Sequence, residues 1–237
     1  MSKETSQAVI LAGGYGKRMG PVTEDTQKCL LPIDGKPILS HILDSLAEAF
    51  GSVNVLLCVS FKANEVKEYV DRNKPNKITV NYLWDSGISK TANLYRGLEG
   101  YISGPFIGLS ADMIARAEAY KSGLEKFEVK KAFASVTLSP KLDEIDSHAV
   151  GKVKENRLLF LTLPAPEVLD SDHLRDMTIW CFDDRYYSFA KQYPEIGAMP
   201  ILLQKALDNG KYIVGNVYLG KWIHIGYPND LSKSMKG

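Results

Sequence analysis

The stretch that most constrains the fold is residues 7–20, QAVILAGGYGKRMG. It opens with a short apolar run that meets glycines at once, which is typical of a strand buried on both faces at the centre of a parallel sheet. Glycines lack a Cβ atom, so backbone N–H groups in the loop can approach an anion closely and form a concave nest for phosphate oxygens. Ligands usually bind where strands end in an open α/β sheet. The stretch therefore predicts a phosphate-binding loop after a central strand.

Two well-known glycine motifs do not account for this loop. A dinucleotide fingerprint, GxGxxG, would start at Gly14 and Gly16, but its third glycine position holds Met19. A P-loop requires Ser or Thr after Gly-Lys, whereas Gly16 and Lys17 are followed by Arg18. On the glycines alone, the loop could equally be an ordinary turn with solvated basic residues.

Strand and helix patterns alternate beyond the loop. Apolar residues recur at helical spacing over residues 38–50, with Gly51 placed as a C-cap, and a buried strand is predicted at 53–59. The alternation continues with a helix at 63–72, a strand at 78–83, a helix at 91–101 and a strand at 105–109. This rhythm predicts an α/β fold with a Rossmann-like, mostly parallel sheet and helices on both faces.

The second half of the chain predicts a small additional β-rich region. Its pattern indicates strands at 132–138, 149–154, 158–161 and 178–182, and helices at 184–192 and 199–208. No repeat, low-complexity tract or linker separates the two halves of the sequence. We therefore expect a single domain over residues 1–237.

Charge and cysteine content limit the partners and the compartment. Lys and Arg number 29 against 28 for Asp and Glu, so no broad field would draw the chain to nucleic acid or to an anionic membrane. The cysteines, Cys29, Cys58 and Cys181, form no CxxC pair and are expected to be reduced. The apolar run near the N-terminus is too short for a signal peptide or a membrane span. We expect a cytoplasmic protein.

The residues that follow the glycines make the pattern far more specific. Residues 18–39 read RMGPVTEDTQKCLLPIDGKPIL. Together with the loop, they resemble the signature of the sugar-phosphate nucleotidyltransferase family, LAGGxGxRMxPxTxxxPKxLxPVxGKPxL, and match it without a gap. The departure is Gln27, where the family usually has proline.

The resemblance implies transfer of a nucleoside monophosphate from an NTP to a small phosphorylated metabolite. An ionised phosphate oxygen of the acceptor attacks the α-phosphorus, so catalysis consists of positioning and of stabilising charge. By resemblance, Arg18 holds the β- and γ-phosphates, and Lys28 bridges the α-phosphate and the attacking phosphate. The resemblance also assigns nucleotide binding to the loop residues Leu11, Ala12, Gly13, Gly14, Tyr15, Gly16 and Lys17.

Two positions correspond to those of the family's ligands for Mg²⁺ (or Mn²⁺). Asp112 ends an apolar strand as the family's metal aspartate does, although Ala111 replaces the preceding glycine, and a helix N-cap role for Asp112 is the alternative. Residues 221–231, KWIHIGYPNDL, resemble the family's WxDxGTPxDL ending, but His224 stands in place of the aspartate. Histidine suits softer divalent ions better than Mg²⁺. Two roles for His224 therefore stay open: a metal ligand and a hydrogen-bonded core residue.

Base recognition is expected in residues 85–93, where the resemblance assigns contacts to Asp85, Lys90, Thr91 and Ala92. Lys90 replaces a glycine of the family's Gly-Thr-Ala turn, and an N-cap role for Thr91 is the alternative. This stretch, with residues 110–112, also resembles the phosphocholine-type cytidylyltransferases of the same superfamily. The family's acceptor-side Glu-Lys-Pro is absent near residues 163–166, so the base and the acceptor stay open.

Three functions from different classes compete. The first is an active nucleotidyltransferase whose partners are an NTP and a small phosphorylated metabolite, with no nucleic acid and no membrane; a homo-oligomer is left open. The second is a nucleotide-binding regulatory relative without turnover, suggested by His224, Ala111 and Gln27. The third is an oxidoreductase on a similar sheet, which the missing third glycine disfavours.

Overall fold

The structure is a computed structural model that describes residues 6–85, 90–142 and 145–236. Its strands are β1 (Ser6–Leu11), β2 (Pro32–Ile33), β3 (Lys36–Pro37), β4 (Val53–Val59), β5 (Ile78–Trp84), β6 (Phe106–Ser110), β7 (Met113–Ala115), β8 (Ala134–Ser139), β9 (Val150–Lys154), β10 (Arg157–Thr162), β11 (Leu174–Phe182), β12 (Ile213–Val217) and β13 (Trp222–His224). Its helices are α1 (Ile38–Phe50), α2 (Ala63–Asn73), α3 (Thr91–Arg96), α4 (Ala117–Val129), α5 (Arg185–Ala190) and α6 (Met199–Asp208). Within the described ranges, none of these helices combines the length and apolar character needed to cross a membrane.

The chain divides into two compact units. The first comprises Met1–Ile88, Gly108–Tyr120 and Gly220–Gly237, and the second comprises Ser89–Ile107 and Lys121–Leu219. A division by packing does not test whether either unit folds alone. A single domain over residues 1–237 therefore stays a prediction.

Parallel strands organise the first unit. β1 pairs in parallel with β4, and β4 pairs in parallel with β5. In β1, Ala8, Val9 and Ile10 are fully buried, as expected for a strand covered on both faces. The next residue, Ala12, continues the ladder by donating its N–H to the carbonyl of Cys58 at 2.8 Å. The predicted α/β class and its parallel sheet are confirmed.

The helices of the first unit follow from their apolar spacing. The buried residues of α1 share one face and include Ile38, Leu39, Ile42, Leu43 and Leu46. The helix ends at Gly51, whose φ of 77° lies in the region that favours glycine. In α2, Val66 and Val70 are buried one turn apart. Both predicted helices are confirmed, with boundaries that agree within one residue.

The second unit carries a mixed sheet in the order β11-β8-β12-β10-β9. β12 pairs in parallel with β8, whereas the β11–β8, β10–β12 and β10–β9 pairs are antiparallel. Aromatic rings fill its core: the Tyr95 ring centre lies 6.3 Å from that of Phe106, 5.9 Å from that of Trp180 and 5.7 Å from that of Phe182. β8, β9, β10 and β11 correspond to the four strands that the second half of the sequence predicts, but they belong to one large sheet and not to a small additional region.

Some elements of the second unit differ from the sequence pattern. The helix predicted at 91–101 ends at Arg96, and the N–H of Gly97 closes its last turn onto the carbonyls of that helix. The strand predicted at 178–182 begins already at Leu174, because a β-bulge within β11 interrupts the alternation of its side chains. The pattern does not predict β12.

Candidate active site

The glycine loop turns back on itself at Gly16. Its φ of 63° is a left-handed conformation that favours glycine, and a 3₁₀ segment begins directly after it. The Thr23 hydroxyl lies 3.1 Å from the carbonyl oxygen of Gly16 and donates to it. A Cβ atom at position 16 would lie 3.0 Å from Thr23 Cγ2, so the close approach also disfavours any larger residue. The turn presents Lys17 and Arg18 at the surface.

A cavity of about 170 Å³ lies at this turn. Its lining residues are Gly16, Lys17, Arg18, Met19, Lys28 and Gly226. Because Lys17, Arg18 and Lys28 are cations, the cavity suits an anion that carries several charges, such as a polyphosphate chain. The Arg18 guanidinium also lies over the ring of Tyr227, with Cζ 5.2 Å from the ring centre, a cation–π contact that restrains it. The structure thus brings together the cations that the sequence predicts for phosphate binding.

The remaining loop residues connect the cavity to the sheet. Leu11 ends β1, and its carbonyl accepts the N–H of Ala111 at 3.0 Å. The Tyr15 ring packs on Phe61 with a centre-to-centre distance of 5.3 Å. Nucleotide contacts by residues 11–17 stay a prediction, because the geometry defines where these groups are and not what they bind.

Lys28 joins the cavity to an acidic side chain. Its ammonium donates to Asp112 Oδ2, and Ser110 Oγ donates to Asp112 Oδ1 at 2.6 Å. The Lys28 and Asp112 side chains are 14% and 17% exposed. Burial disfavours the charged carboxyl, but the Lys28 ammonium and the His224 ring outweigh it and hold the pKa of Asp112 well below its usual range. Asp112 is therefore a carboxylate at neutral pH.

His224 reaches Asp112 through the pairing of two short strands. β13 runs antiparallel to β7 and places His224 opposite Met113, while Ile225 donates its N–H to the Asp112 carbonyl at 2.9 Å. The His224 side chain is 2% exposed, and its Nε2 lies 3.7 Å from Asp112 Oδ2. Since β7 follows Asp112 directly and α4 begins only at Ala117, the alternative of a helix N-cap at Asp112 is wrong.

Asp112 and His224 offer two donor atoms for a divalent ion. Donors 3.7 Å apart can bind one ion, since metal–ligand distances are about 2.0–2.2 Å. Among the residues that the structure describes, no group of three or more His, Cys, Asp and Glu side chains could hold a metal. An ion here would complete its coordination with water and phosphate oxygens, as Mg²⁺ commonly does. The pair would fit a divalent ion, and metal binding by these residues stays a prediction.

Gln27 is a site residue that the sequence reasoning missed. Its side chain is 2% exposed, and its Nε2 donates to the carbonyls of Ala12 at 2.6 Å and Gly14 at 3.0 Å. Its Oε1 accepts the N–H of Cys29 at 2.6 Å. The sequence feature that could have pointed to Gln27 is its place directly before Lys28, where the family signature has proline. That feature marks the position but does not reveal its hydrogen-bond partners.

Lys90, Thr91 and Ala92 lie in the second unit, where they hold the segment before α6. The N–H of Ala92 donates to the Gly197 carbonyl at 2.8 Å, and the Thr91 hydroxyl accepts the N–H of Met199 at 2.9 Å. A Cβ atom at Gly197 would lie 2.6 Å from Lys90 Cδ, so the two residues are in close contact. Thr91 therefore caps the start of α6. The alternative of an N-cap on its own helix is wrong, because Lys90 holds that position.

Asp85 follows β5 in the first unit and extends the strand pairing, because its N–H donates to the Val59 carbonyl at 2.8 Å. Residues 86–89 of the predicted base-recognition stretch lie outside the described residues. Base contacts by Asp85, Lys90, Thr91 and Ala92 stay predictions.

The chain has counterparts along almost its whole length among known proteins. A family model described as nucleotidyl transferase matches residues 7–236. The chain is 27% identical to the bifunctional protein GlmU of Methanocaldococcus jannaschii, over 97% of this chain and 53% of that protein. It is 25% identical to the mannose-1-phosphate guanylyltransferase catalytic subunit beta of Drosophila melanogaster, over 97% of this chain and 62% of that protein. The chain therefore spans only about half to three fifths of these relatives.

A solved structure with the same fold is that of the inositol-1-phosphate CTP transferase from T. maritima. It superposes on this chain with a TM-score of 0.79 at 22% sequence identity. The match covers 97% of this chain and 93% of that protein.

Proposed function

This chain belongs to the nucleotidyl transferase family, and on that premise we propose that it transfers a nucleoside monophosphate from an NTP to a sugar-1-phosphate or a similar small phosphorylated acceptor, releasing pyrophosphate. The observation that carries the proposal is the placement of Lys28, which lines the cationic cavity and also pairs with Asp112. One side chain thereby links a place for a polyphosphate to a carboxylate suited to a divalent ion. Nucleotidyl transfer requires both groups next to one another.

In the proposed reaction, an oxygen of the acceptor phosphate attacks the α-phosphorus of the NTP. A new oxygen–phosphorus bond forms, and the bond from the α-phosphorus to the α–β bridging oxygen breaks. That oxygen leaves with the bonding electron pair as part of pyrophosphate. The attacking phosphate is already ionised, so no side chain has to remove a proton, and the barrier arises from bringing anions together and from charge on the leaving group.

The cations of the cavity divide this task between them. Lys17 and Arg18 are exposed and would hold the β- and γ-phosphates, for which the planar guanidinium of Arg18 is well suited. Lys28 is 14% exposed and would contact the α-phosphate and the attacking oxygen. A charge in this less solvated place stabilises a neighbouring anion more strongly than an exposed charge does.

Asp112 is proposed to hold the divalent ion, Mg²⁺ (or Mn²⁺), with His224 beside it. A bound ion would supply positive charge that neutralises phosphate oxygens. Lys28 helps to keep Asp112 ionised, and the hydrogen bond from Ser110 orients its carboxylate. The imidazole of His224 favours Mn²⁺ over Mg²⁺ as the preferred ion of this chain.

The names of the relatives support the proposed class of acceptor. One is named for mannose-1-phosphate and one structural neighbour for inositol-1-phosphate, which are both phosphate monoesters of a six-carbon polyol or sugar. We propose an acceptor of this kind for this chain, with no base assigned. A cytoplasmic location, the lack of nucleic-acid and membrane partners and a homo-oligomeric state remain part of the same proposal.

A second candidate function is a nucleotide-binding regulatory protein without turnover. The specific observation in its favour is His224, which stands where the family signature has a carboxylate and leaves Asp112 as the acidic member of the pair. A site with less negative charge binds Mg²⁺ less well. Such a protein would hold an NTP in the cavity and release no pyrophosphate.

Pyrophosphate release distinguishes the two candidates. The purified chain is incubated with ATP, CTP, GTP, UTP or dTTP, with Mg²⁺ or Mn²⁺, and with a panel of sugar-1-phosphates, inositol-1-phosphate and phosphocholine. We expect one combination to release pyrophosphate in equal amount to the nucleotide-linked product. Binding of an NTP without release for any acceptor would favour the regulatory function, and failure to bind any NTP would contradict both.

A further inference from the structure

The side chain of Gln27 connects two segments of the cavity that are distant in sequence. Its carboxamide donates to the carbonyls of Ala12 and Gly14, which lie 15 and 13 residues away, and accepts the N–H of Cys29. The amide nitrogen carries two protons, so both are used. Because Gln27 is 2% exposed, any of these groups left without a partner would be destabilising. The carboxamide is therefore held in one orientation.

The orientation of two carbonyls sets the direction of the loop amides. The loop peptides are trans, and in a trans peptide the C=O group and the following N–H group point to opposite sides. The carbonyls of Ala12 and Gly14 point at Gln27, so the N–H groups of Gly13 and Tyr15 point away from it. Donors on the same side at alternate positions of a glycine loop form a concave surface for anion oxygens.

The other end of the carboxamide holds the segment that carries Lys28. Gln27 is the N-cap of the 3₁₀ segment Lys28–Leu30, and its Oε1 accepts the N–H of Cys29 within that segment. Cys29 is itself buried, which ties the segment to the core. The same side chain thus sets the direction of the loop amides and the position of the Lys28 backbone.

We propose that Gln27 is a positioning residue for polyphosphate binding, acting through the loop amides and through Lys28. The proposal rests on the proposed function, because it takes the phosphates of an NTP as the ligand of the cavity. Proline, the usual residue of the family signature here, restrains the chain by fixing φ near −65°. Gln27 has a φ of −64° and restrains the chain by hydrogen bonds instead. These bonds reach the glycine loop, which a proline ring cannot do.

Two substitutions of similar size separate the hydrogen bonds from packing. Gln27→Met keeps the approximate volume and removes all three bonds. Gln27→Glu keeps an acceptor for the Cys29 N–H but turns a carboxylate oxygen toward the carbonyls of Ala12 and Gly14, which repel it. If volume alone mattered, the glutamate variant would behave like the wild type.

Gln204→Met is the matched control in the second unit. Gln204 also bonds in both directions, because its Oε1 accepts the N–H of Leu161 at 2.6 Å and its Nε2 donates to Asp208 at 2.8 Å. Calorimetric binding of tripolyphosphate in the presence of Mg²⁺ measures the cavity without requiring the base or the acceptor. We expect both Gln27 variants to bind about tenfold or more weakly than the wild type. Gln204→Met should bind within about twofold of the wild type.

The outcomes decide the proposal in either direction. Circular dichroism establishes which variants are folded, and either folded Gln27 variant carries the test. An affinity of Gln27→Glu or Gln27→Met within about twofold of the wild type overturns the proposal. In an active enzyme, the same variants should raise the KM for the NTP more than the KM for the acceptor, which a general loss of stability would not do.

Failure of this proposal is distinguishable from failure of the proposed function. A wild-type protein that binds tripolyphosphate but releases no pyrophosphate with any substrate pair contradicts nucleotidyl transfer, while the comparison of the Gln27 variants still decides the positioning role. A wild-type protein that binds no tripolyphosphate overturns the positioning proposal, while pyrophosphate release still decides nucleotidyl transfer.

Discussion

Replacing Lys28 with methionine perturbs the proposed reaction at the residue that belongs both to the cavity and to the ion pair with Asp112. Lys28→Met removes the charge and keeps most of the apolar stem. Loss of one positioned charge contact to the reacting groups lowers kcat by about 10²–10³, or about 3–4 kcal/mol. We therefore expect turnover to fall by at least about a hundredfold.

The fold should survive this change. A hydrogen bond to a charged group contributes about 1.5–3 kcal/mol, and an ordinary domain has about 5–15 kcal/mol of stability. We expect the free energy of unfolding to fall by on the order of 2 kcal/mol, because the Asp112 carboxylate stays largely buried without its partner. The low activity of the variant would then report on the reaction and not on unfolding.

The stability of Lys28→Met should also depend on pH in a definite direction. In the wild type the pKa of Asp112 is depressed, so the stability that the ionised Asp112 contributes is lost only as the pH falls toward that low folded pKa. In the variant the Lys28 ammonium no longer lowers the pKa of Asp112, so that pKa lies above its wild-type value. The stability deficit of the variant should therefore shrink as the pH falls through this higher folded pKa.

The assay compares pyrophosphate release and urea unfolding of the wild type, Lys28→Met and the control Lys77→Ala, which removes an exposed lysine of the first unit. Lys77→Ala should retain full turnover. Turnover of folded Lys28→Met within about threefold of the wild type would refute the assignment of Lys28 to the reaction.

The other residues of the site and one buried carboxyl give four further tests. Arg18→Ala should raise the KM for the NTP with a smaller effect on kcat, and Asp112→Asn should abolish turnover that depends on the divalent ion. Initial rates measured against the concentrations of NTP and Mg²⁺ test both expectations. Unchanged ion dependence in Asp112→Asn would mean that the ion binds elsewhere. His224→Asp should shift the preferred ion from Mn²⁺ or Co²⁺ toward Mg²⁺, and equal ratios of rates with the two ions in both proteins would show that His224 does not contact the metal. Burial raises the pKa of Asp176 to about 7, so the folded state keeps a proton that the unfolded state has lost, and stability should fall by on the order of 4 kcal/mol as the pH rises from about 4 to 7. Asp176→Asn should remove that slope in urea unfolding, and parallel pH curves for the two proteins would contradict it.

The sequence by itself determined the elements whose information is local. The apolar run and glycines of residues 7–20 specify a buried strand and the turn after it, and β1 and the left-handed Gly16 confirm both. The apolar spacing of residues 38–50 specifies α1, which the structure confirms at both ends. Steric limits on the backbone and the periodicity of side chains act over a few residues, so a single segment carries them. The motif likewise determined that Arg18 and Lys28 are the cations to test.

Only the tertiary structure decided which of the separated side chains meet. Lys28 contacts Asp112 across 84 residues of sequence, and His224 reaches Asp112 because β13 pairs with β7. In the sequence, Gln27 is noticeable only because it stands where the family signature has proline. In the fold, its side chain bonds to the carbonyls of Ala12 and Gly14. Contacts of this kind depend on how distant elements pack and pair, and the periodicity within any one segment carries no record of them.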